Sequence, residues 1–359
     1  MISHRRRLPF YRTLVLTAIV LVAALPVAAA AQWQLADAGT RAEFRGLSLT
    51  NDHVAWASGT HGIVARSVDG GAHWTLHHVP GADSLDLRSI AALGPDAAVA
   101  ASAGPAENGQ ARMFRTTDGG ATWTQVYATS QKGVFLDALA FWDADHGIAL
   151  SDPIDGTLFL LVTDDGGRSW SRVPPDALPA ALPGEAAFAA SGTCVAVWGT
   201  NDVWIGTGGG ARARVYRSSD RGRSWRVADT PVHAGSSASG IFALAFRDAD
   251  HGVAVGGDYT KPHGATVNVA LTDDGGRTWH AAPGMLVQAY LSGVAWQGSG
   301  PVVAVGLAGT ARSNNGGASW TMVDTLPLNT VRFRGSGFGV AAGPHGRLGR
   351  WAPPTPGPR

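Results

Sequence analysis

A short motif, Ser/Thr-x-Asp/Asn-x-Gly-x-x-Trp, occurs six times and constrains the fold of this chain more than any other feature. It reads Ser67-Val-Asp69-Gly-Gly71-Ala-His-Trp74, Thr116-Thr-Asp118-Gly-Gly120-Ala-Thr-Trp123 and Thr163-Asp-Asp165-Gly-Gly167-Arg-Ser-Trp170. It continues as Ser218-Ser-Asp220-Arg-Gly222-Arg-Ser-Trp225, Thr272-Asp-Asp274-Gly-Gly276-Arg-Thr-Trp279 and Ser313-Asn-Asn315-Gly-Gly317-Ala-Ser-Trp320. The tryptophans are spaced by 49, 47, 55, 54 and 41 residues, the length of one four-stranded propeller blade with variable loops. The Asp accepts hydrogen bonds from the N–H groups of its own turn, the second Gly takes a positive φ, and the Trp buries a large ring between units.

Each unit repeats one internal order. A short apolar strand (Ala138–Phe141, Ala243–Phe246) leads through a polar turn to a second (Gly147–Leu150, Gly252–Val255). A Gly-rich loop and a third strand follow, running into the motif, and the Trp opens a fourth. A seventh unit lacks the motif: 330–333, 339–342 and 347–351 supply only three strands. Gln32-Trp33-Gln34-Leu35, with Trp33 lying 41 residues before Trp74, reads as the missing fourth. The expectation is therefore all-β: a single seven-bladed β-propeller over 32–352, closed by N- and C-terminal strands in one blade, which hides two sheet edges.

Composition supports a large core, with 45% apolar and 15% charged residues. Residues 1–31 stand apart. Arg5, Arg6, Arg7 and Arg12 precede an apolar run ending in Ala29-Ala30-Ala31, the anatomy of a secretory signal peptide cut before Gln32. A retained anchor is the alternative reading. Removing this segment leaves 24 Lys+Arg against 27 Asp+Glu, a net charge of −3 that argues against a nucleic-acid partner. The single cysteine, Cys194, closes no intrachain disulfide and reads as a core thiol. Residues 353–359 form a short tail expected to be disordered. The expected product is periplasmic or secreted, monomeric, and without a membrane span after cleavage.

These motifs resemble the BNR/Asp-box repeats of the WD40/YVTN/BNR-like propellers over 32–351. Within that group the form Gly-(Ile/Val)-Ala-x-Gly…Thr-x-Asp-Gly-Gly-x-x-Trp resembles the photosystem II stability/assembly-factor-like family. That resemblance implies an exported module that binds other proteins and does not catalyse. Sialidases share the box, and likeness to them implies an Arg-Ile-Pro segment, an arginine triad and a Tyr activated by Glu. Here no Arg-Ile-Pro occurs, and the only glutamates are Glu43, Glu107 and Glu185. Xyloglucanases of the Asp-box type use paired aspartates between two propellers, whereas this chain has one. Labels such as glycosyl hydrolase-like also attach to bacterial relatives.

Function is expected where the repeat breaks down. Loops after the second strands should share a face near the channel. They carry His61, Glu107, Asp152, Asp155, Arg212, Arg214, Asp258, Tyr259, His263 and His345. A second ring, at the entrances of the first strands, holds Arg45, Ser89, Asp137, Thr193, Ser292 and Asn329, interrupted by Phe242. The favoured reading is a protein- or glycan-binding module. The alternative is a glycan hydrolase with Asp152 and Asp258 as acid and base. Asp143-Ala-Asp145-His146 and Asp248-Ala-Asp250-His251 mimic metal ligands but recur at one turn position, so they read as turns and no metal or other cofactor is expected.

Overall fold

The computed structural model describes residues 1–2, 32–264, 267–335 and 337–352. The expected signal peptide, apart from Met1 and Ile2, and the expected tail lie outside the described residues. Among the described residues no helix is long and apolar enough to cross a membrane.

Seven four-stranded antiparallel sheets make up the molecule. Their first strands are Phe44–Leu49, Asp86–Ala92, Leu136–Phe141, Val195–Trp198, Ser239–Phe246, Gly293–Trp296 and Thr330–Arg334. Each of these packs against the first strands of both neighbouring blades, so they form a closed ring around a central channel. The core lies between blades as apolar layers, for example Ile148, Leu150, Val203, Ile205 and Tyr216 between the third and fourth. In the seventh blade Trp33–Ala36 pairs with Leu348–Trp351, Trp33 opposite Trp351. The two indoles meet edge to face at 4.9 Å, and Trp33 Nε1 donates to Thr310 Oγ1 of the sixth blade at 2.9 Å. The N-terminal strand thus fills the position that a seventh Asp box would have supplied.

The boxes are dense local hydrogen-bond clusters. Ser67 Oγ donates to Asp69 Oδ1 (2.9 Å) and accepts from Gly71 N (2.9 Å). The same Oδ1 accepts from the N–H groups of Ala72 and His73. Gly71 has φ 82°, where a Cβ would be strained, and Trp74 Nε1 returns to the Gly71 carbonyl. In the second box the Thr122 hydroxyl and N–H, then the Thr116 hydroxyl, hold the Asp118 carboxyl at about 2. The tryptophans reach across blades where space allows: Trp123 meets Trp56 of the preceding blade at 90° and 6.3 Å.

The sixth box keeps this geometry without the charge. Ser313 Oγ and Ser319 N both donate to Asn315 Oδ1 (2.9 Å each), while Asn315 Nδ2 donates to Ser319 Oγ. In four of the five charged boxes this last bond runs the other way, from hydroxyl to carboxylate, as from Ser169 to Asp165. Hydrogen bonds to an ionised acceptor are stronger than neutral ones. Asn315→Asp is therefore expected to stabilise the protein by about 0.5–1 kcal/mol near neutral pH. A carboxyl with a depressed folded-state pKa stabilises above its unfolded pKa, so the gain should vanish as pH falls toward about 2. Urea unfolding of both forms across that range measures it.

Candidate functional site

All seven first strands run in one direction, so their entrances share a face with the ends of the antiparallel second strands. In four blades the first strand bulges at its entrance. Register skips Arg45, Arg88, Asp137 and Phe242, each the extra residue between two paired neighbours. A bulge turns one side chain out of the sheet alternation. All four residues line a single cavity of about 500 Å³ at this end of the channel. Of the ring expected from sequence, Arg45, Asp137 and Asn329 line the cavity, Thr193 and Ser292 are buried and do not, and the second blade is off by one residue. Arg88 lines the cavity, while Ser89 is buried and its Oγ accepts from Leu139 N of the next blade.

A segment that the repeat did not foretell forms part of the cavity wall. Residues 182–193, between the third and fourth blades, cross the channel instead of skirting it. Ala187 N donates to Asp152 Oδ1 (2.9 Å), Arg45 Nη1 to Ala190 O (3.2 Å) and Thr330 Oγ1 to Ser191 O (3.1 Å). Leu244 N donates to Thr193 O, and Phe188 stacks on Phe242 with centroids 4.0 Å apart. The third, first, seventh and fifth blades are thereby tied together through one loop. The Gly-rich stretch 206–210 accounts for the close approach. Gly208 pairs with both Ala186 and Gly240, and a Cβ there would lie 2.5 Å from Gly240 Cα and 2.9 Å from the Phe188 ring.

Glu185 anchors this segment. Its carboxylate, fully buried, accepts from Thr207 Oγ1 (2.5 Å), Arg214 Nε (3.0 Å), Arg214 Nη2 and Leu182 N (2.7 Å). Arg214 Nη2 also reaches Tyr216 Oη (2.6 Å) and Ala180 O (2.9 Å). Arg214 is thus committed to a buried ion pair and does not face the cavity.

The cavity is lined by Glu43, Arg45, Arg88, Asp137, Asp152 and Asn329, with Phe135, Phe188, Phe242, Tyr259 and Tyr290 as aromatic walls and Leu307 at the rim. The arginines have carboxylate neighbours: Arg45 Nη2 lies 2.6 Å from Glu43 and Arg88 Nε 2.6 Å from Asp86. Asp137 is 2% exposed, and its Oδ2 accepts no hydrogen bond from the protein. Burial pushes its pKa well above the carboxylate range, and the Asp152 charge adds to this, against Arg88 and the Asp152 N–H. Burial raises Asp152 to about 6 against the Ala187 N–H bond. Behind them Cys194 is buried, and burial raises its thiol further from ionisation, which suits a core thiol and not a nucleophile.

Of the residues singled out from sequence, Arg45, Asp137, Asp152 and Tyr259 come together here, and Asn329 joins them. Asp152 and Asp258 do not share the cavity. The Asp258 carboxylate, at the end of its strand, accepts from the Thr260 hydroxyl (2.6 Å) and N–H, which hold it below its usual pKa. His61, Asp155 and His345 occupy positive-φ turn positions at 63°, 52° and 60°. Glu107 sits in the short helix Ala106–Asn108 and accepts from Gly133 N, and Arg212 pairs on the surface with Asp229. His263 is not among the lining residues. Asp143 and Asp248 cap their turns, each accepting from the backbone and ring N–H of the following His. Arg88, Phe188 and Tyr290 were missed. The β-bulge and the crossing segment bring in the first two, and neither leaves a periodic trace.

At the opposite mouth a second cavity of about 590 Å³ is lined by the exits of the first strands, and it shares no residue with the first. Arg332 lies there, its Nε donating to Leu47 O at 3.2 Å, and burial lowers its pKa to about 10.

Two measurements test this geometry. Glu185→Ala leaves Arg214 buried without its partner and is expected to cost about 3–5 kcal/mol. Pairing Glu185→Leu with Arg214→Met should recover much of that loss in chemical denaturation. Asp152 ionises near pH 6 in the folded protein and near 4 when unfolded, so stability falls as pH rises through that window. Asp152→Asn is then expected to stabilise the protein by about 1–2 kcal/mol at pH 8 and not at pH 4.

No family model matches the chain. A curated relative, "Photosystem II assembly lipoprotein Ycf48" of Synechococcus sp. (strain CC9902), is 23% identical over 337 residues, covering 91% of this chain and 90% of that one. Two solved structures share the fold. "YCF48 from Cyanidioschyzon merolae" has a TM-score of 0.63 at 17% identity, over 90% of this chain and 100% of that one. "YCF48 bound to D1 peptide" has a TM-score of 0.62 at 16% identity, over 90% and 97%. With its Asp boxes, seven blades and terminal closure, the chain is a seven-bladed propeller that shares the fold of these structures and is similar in sequence to the Synechococcus protein over most of both lengths.

Proposed function

We propose that this chain is an exported, non-catalytic binding propeller that recognises a peptide or glycan segment of a partner at the loop-rich mouth of its channel. The observation that carries this reading is the aromatic-walled cavity lined by Asp137, whose buried Oδ2 has no hydrogen-bond partner. Aromatic anchors beside a few fixed polar groups are what a binding site needs. The similar proteins agree with it: one is named for photosystem II assembly and another is seen with a bound peptide.

A glycan hydrolase needs two carboxylates facing one bond from opposite sides, about 5–9.5 Å apart. Asp258, the proposed partner of Asp152, lies outside the cavity and caps its own loop. Asp137 is instead the immediate neighbour of Asp152, accepting its N–H. The reading includes removal of residues 1–31, a propeller over 32–352 with a short tail, and a periplasmic or secreted monomer.

Arrays of peptides and glycans probed with the full chain test this reading. Wild type is expected to retain a subset of either class. The rim variant Tyr259→Ala/Leu307→Ala should weaken retention roughly tenfold, while the turn variant His345→Ala leaves it unchanged. Retention that ignores the rim variant, or sugar release from a retained glycan that Asp152→Asn abolishes, overturns it.

A further inference from the structure

We infer that the group anchored in this cavity is an organic cation: an alkylammonium or guanidinium on a flexible stem, as on a Lys or Arg side chain of a peptide, seated against Asp137. This deepens the binding-module reading and rests on it. The charge layout is the first argument. Five charged side chains line the cavity, and each positive one has a carboxylate at 2.6 Å, Arg45 to Glu43 and Arg88 to Asp86, while Arg45 Nε has no partner. Among the described residues Asp137 and Asp152 have no cationic side chain in hydrogen-bonding contact; they accept from the N–H groups of Asp152 and Ala187.

A buried carboxylate oxygen with no donor is costly to keep, because the group must either bind a proton or stay ionised without solvation. Asp137 Oδ2 is such an atom, in a side chain that lines the cavity. The same pair of carboxyls repels an anion. The walls supply the second argument. Phe135, Phe188, Phe242 and Tyr290 offer ring faces and edges, with Phe242 at the centre, stacked on Phe188 and edge-on to Tyr290 and Tyr259. Aromatic walls accept an alkyl stem and attract a cation, and an aromatic cage is the recurring way proteins hold organic cations. A metal ion fits less well: among the described residues no group of three or more His, Cys, Asp or Glu is placed to hold one.

Binding should then be linked to protons. A cation requires the carboxyls ionised. The titratable or charged groups around Asp137 are Asp152, Arg88, Glu43, Arg45, Tyr259, Tyr290 and Cys194. Among these, Asp152 titrates near 6 and Asp137 above the carboxylate range. Cation binding should release protons near neutral pH and tighten as pH rises through about 6.

Isothermal titration of the full chain in buffers of different ionisation enthalpy reads both effects. The probes are a lysine-bearing peptide, Gly-Ser-Lys-Ser-Gly, and its Nε-acetyl-lysine and norleucine versions, together with array-retained peptides carrying the same replacements. The cationic probe should bind at least tenfold more tightly than the neutral ones, with proton release. Asp137→Asn should abolish the difference. Should that variant fail to fold, Asp152→Asn carries the test and should weaken the cationic probe several-fold and flatten its pH dependence. Equal binding of cationic and neutral probes, preference for a glutamate version, or no saturable binding of the cationic probe overturns the assignment. If the arrays still show rim-dependent retention, the binding-module reading stands without it; if they show none, both fall.

Discussion

Everything in this molecule depends on a carboxylate that takes up the N–H groups of its own turn. In four of the five charged Asp boxes one oxygen accepts from two successive backbone groups; in all five it accepts from the preceding hydroxyl, and the other oxygen accepts a second hydroxyl or a ring N–H. The turn between third and fourth strands is thereby fixed locally, before any other blade is present. That turn also sets the position of the Trp, whose indole in four of the boxes donates back to the second Gly carbonyl. A ring of blades with few long-range hydrogen bonds between outer strands needs such local definition, because neighbouring blades meet mainly through apolar side chains.

The site arises by the opposite route. Nothing in the boxes lines the cavity. Its residues come from bulges that expel one side chain per strand and from one inter-blade connection that crosses the channel. The crossing segment is stabilised by a buried ion pair at Glu185 and Arg214 and admitted by glycines at 208 and 240. The repeat supplies a rigid frame, and departures from it supply the chemistry. Two arginines balanced by their own carboxylates, beside two carboxyls without cationic contacts, give the cavity an asymmetry that a purely periodic ring cannot have.

Much of this was legible in the sequence for a physical reason. Asp, Gly and Trp at fixed offsets within eight residues act locally, so blade number and the terminal closure by Trp33 could be read by counting. Asp137, Arg45, Asp152 and Tyr259 were also reachable, because their places in the repeat put them at strand entrances and exits on one face. Ser89 was read where Arg88 stands, since a bulge shifts the side-chain alternation by one residue without changing composition. Asp258 was paired with Asp152 only in the alternative hydrolase reading, and Thr260, two residues away, claims its carboxylate. Arg214 was a candidate for the loop-rich face, but Glu185, distant in sequence, holds it in a buried ion pair.

By itself the sequence determined an all-β ring of seven blades, its closure, and the loops that share one face, because these follow from short-range hydrogen bonding and repeat length. Tertiary structure alone decided which side chains share the cavity, which charges are already neutralised, and that residues 182–193 cross the channel. Those outcomes depend on contacts between blades, where a few ångströms of approach at a glycine or one displaced residue at a bulge determines what meets what.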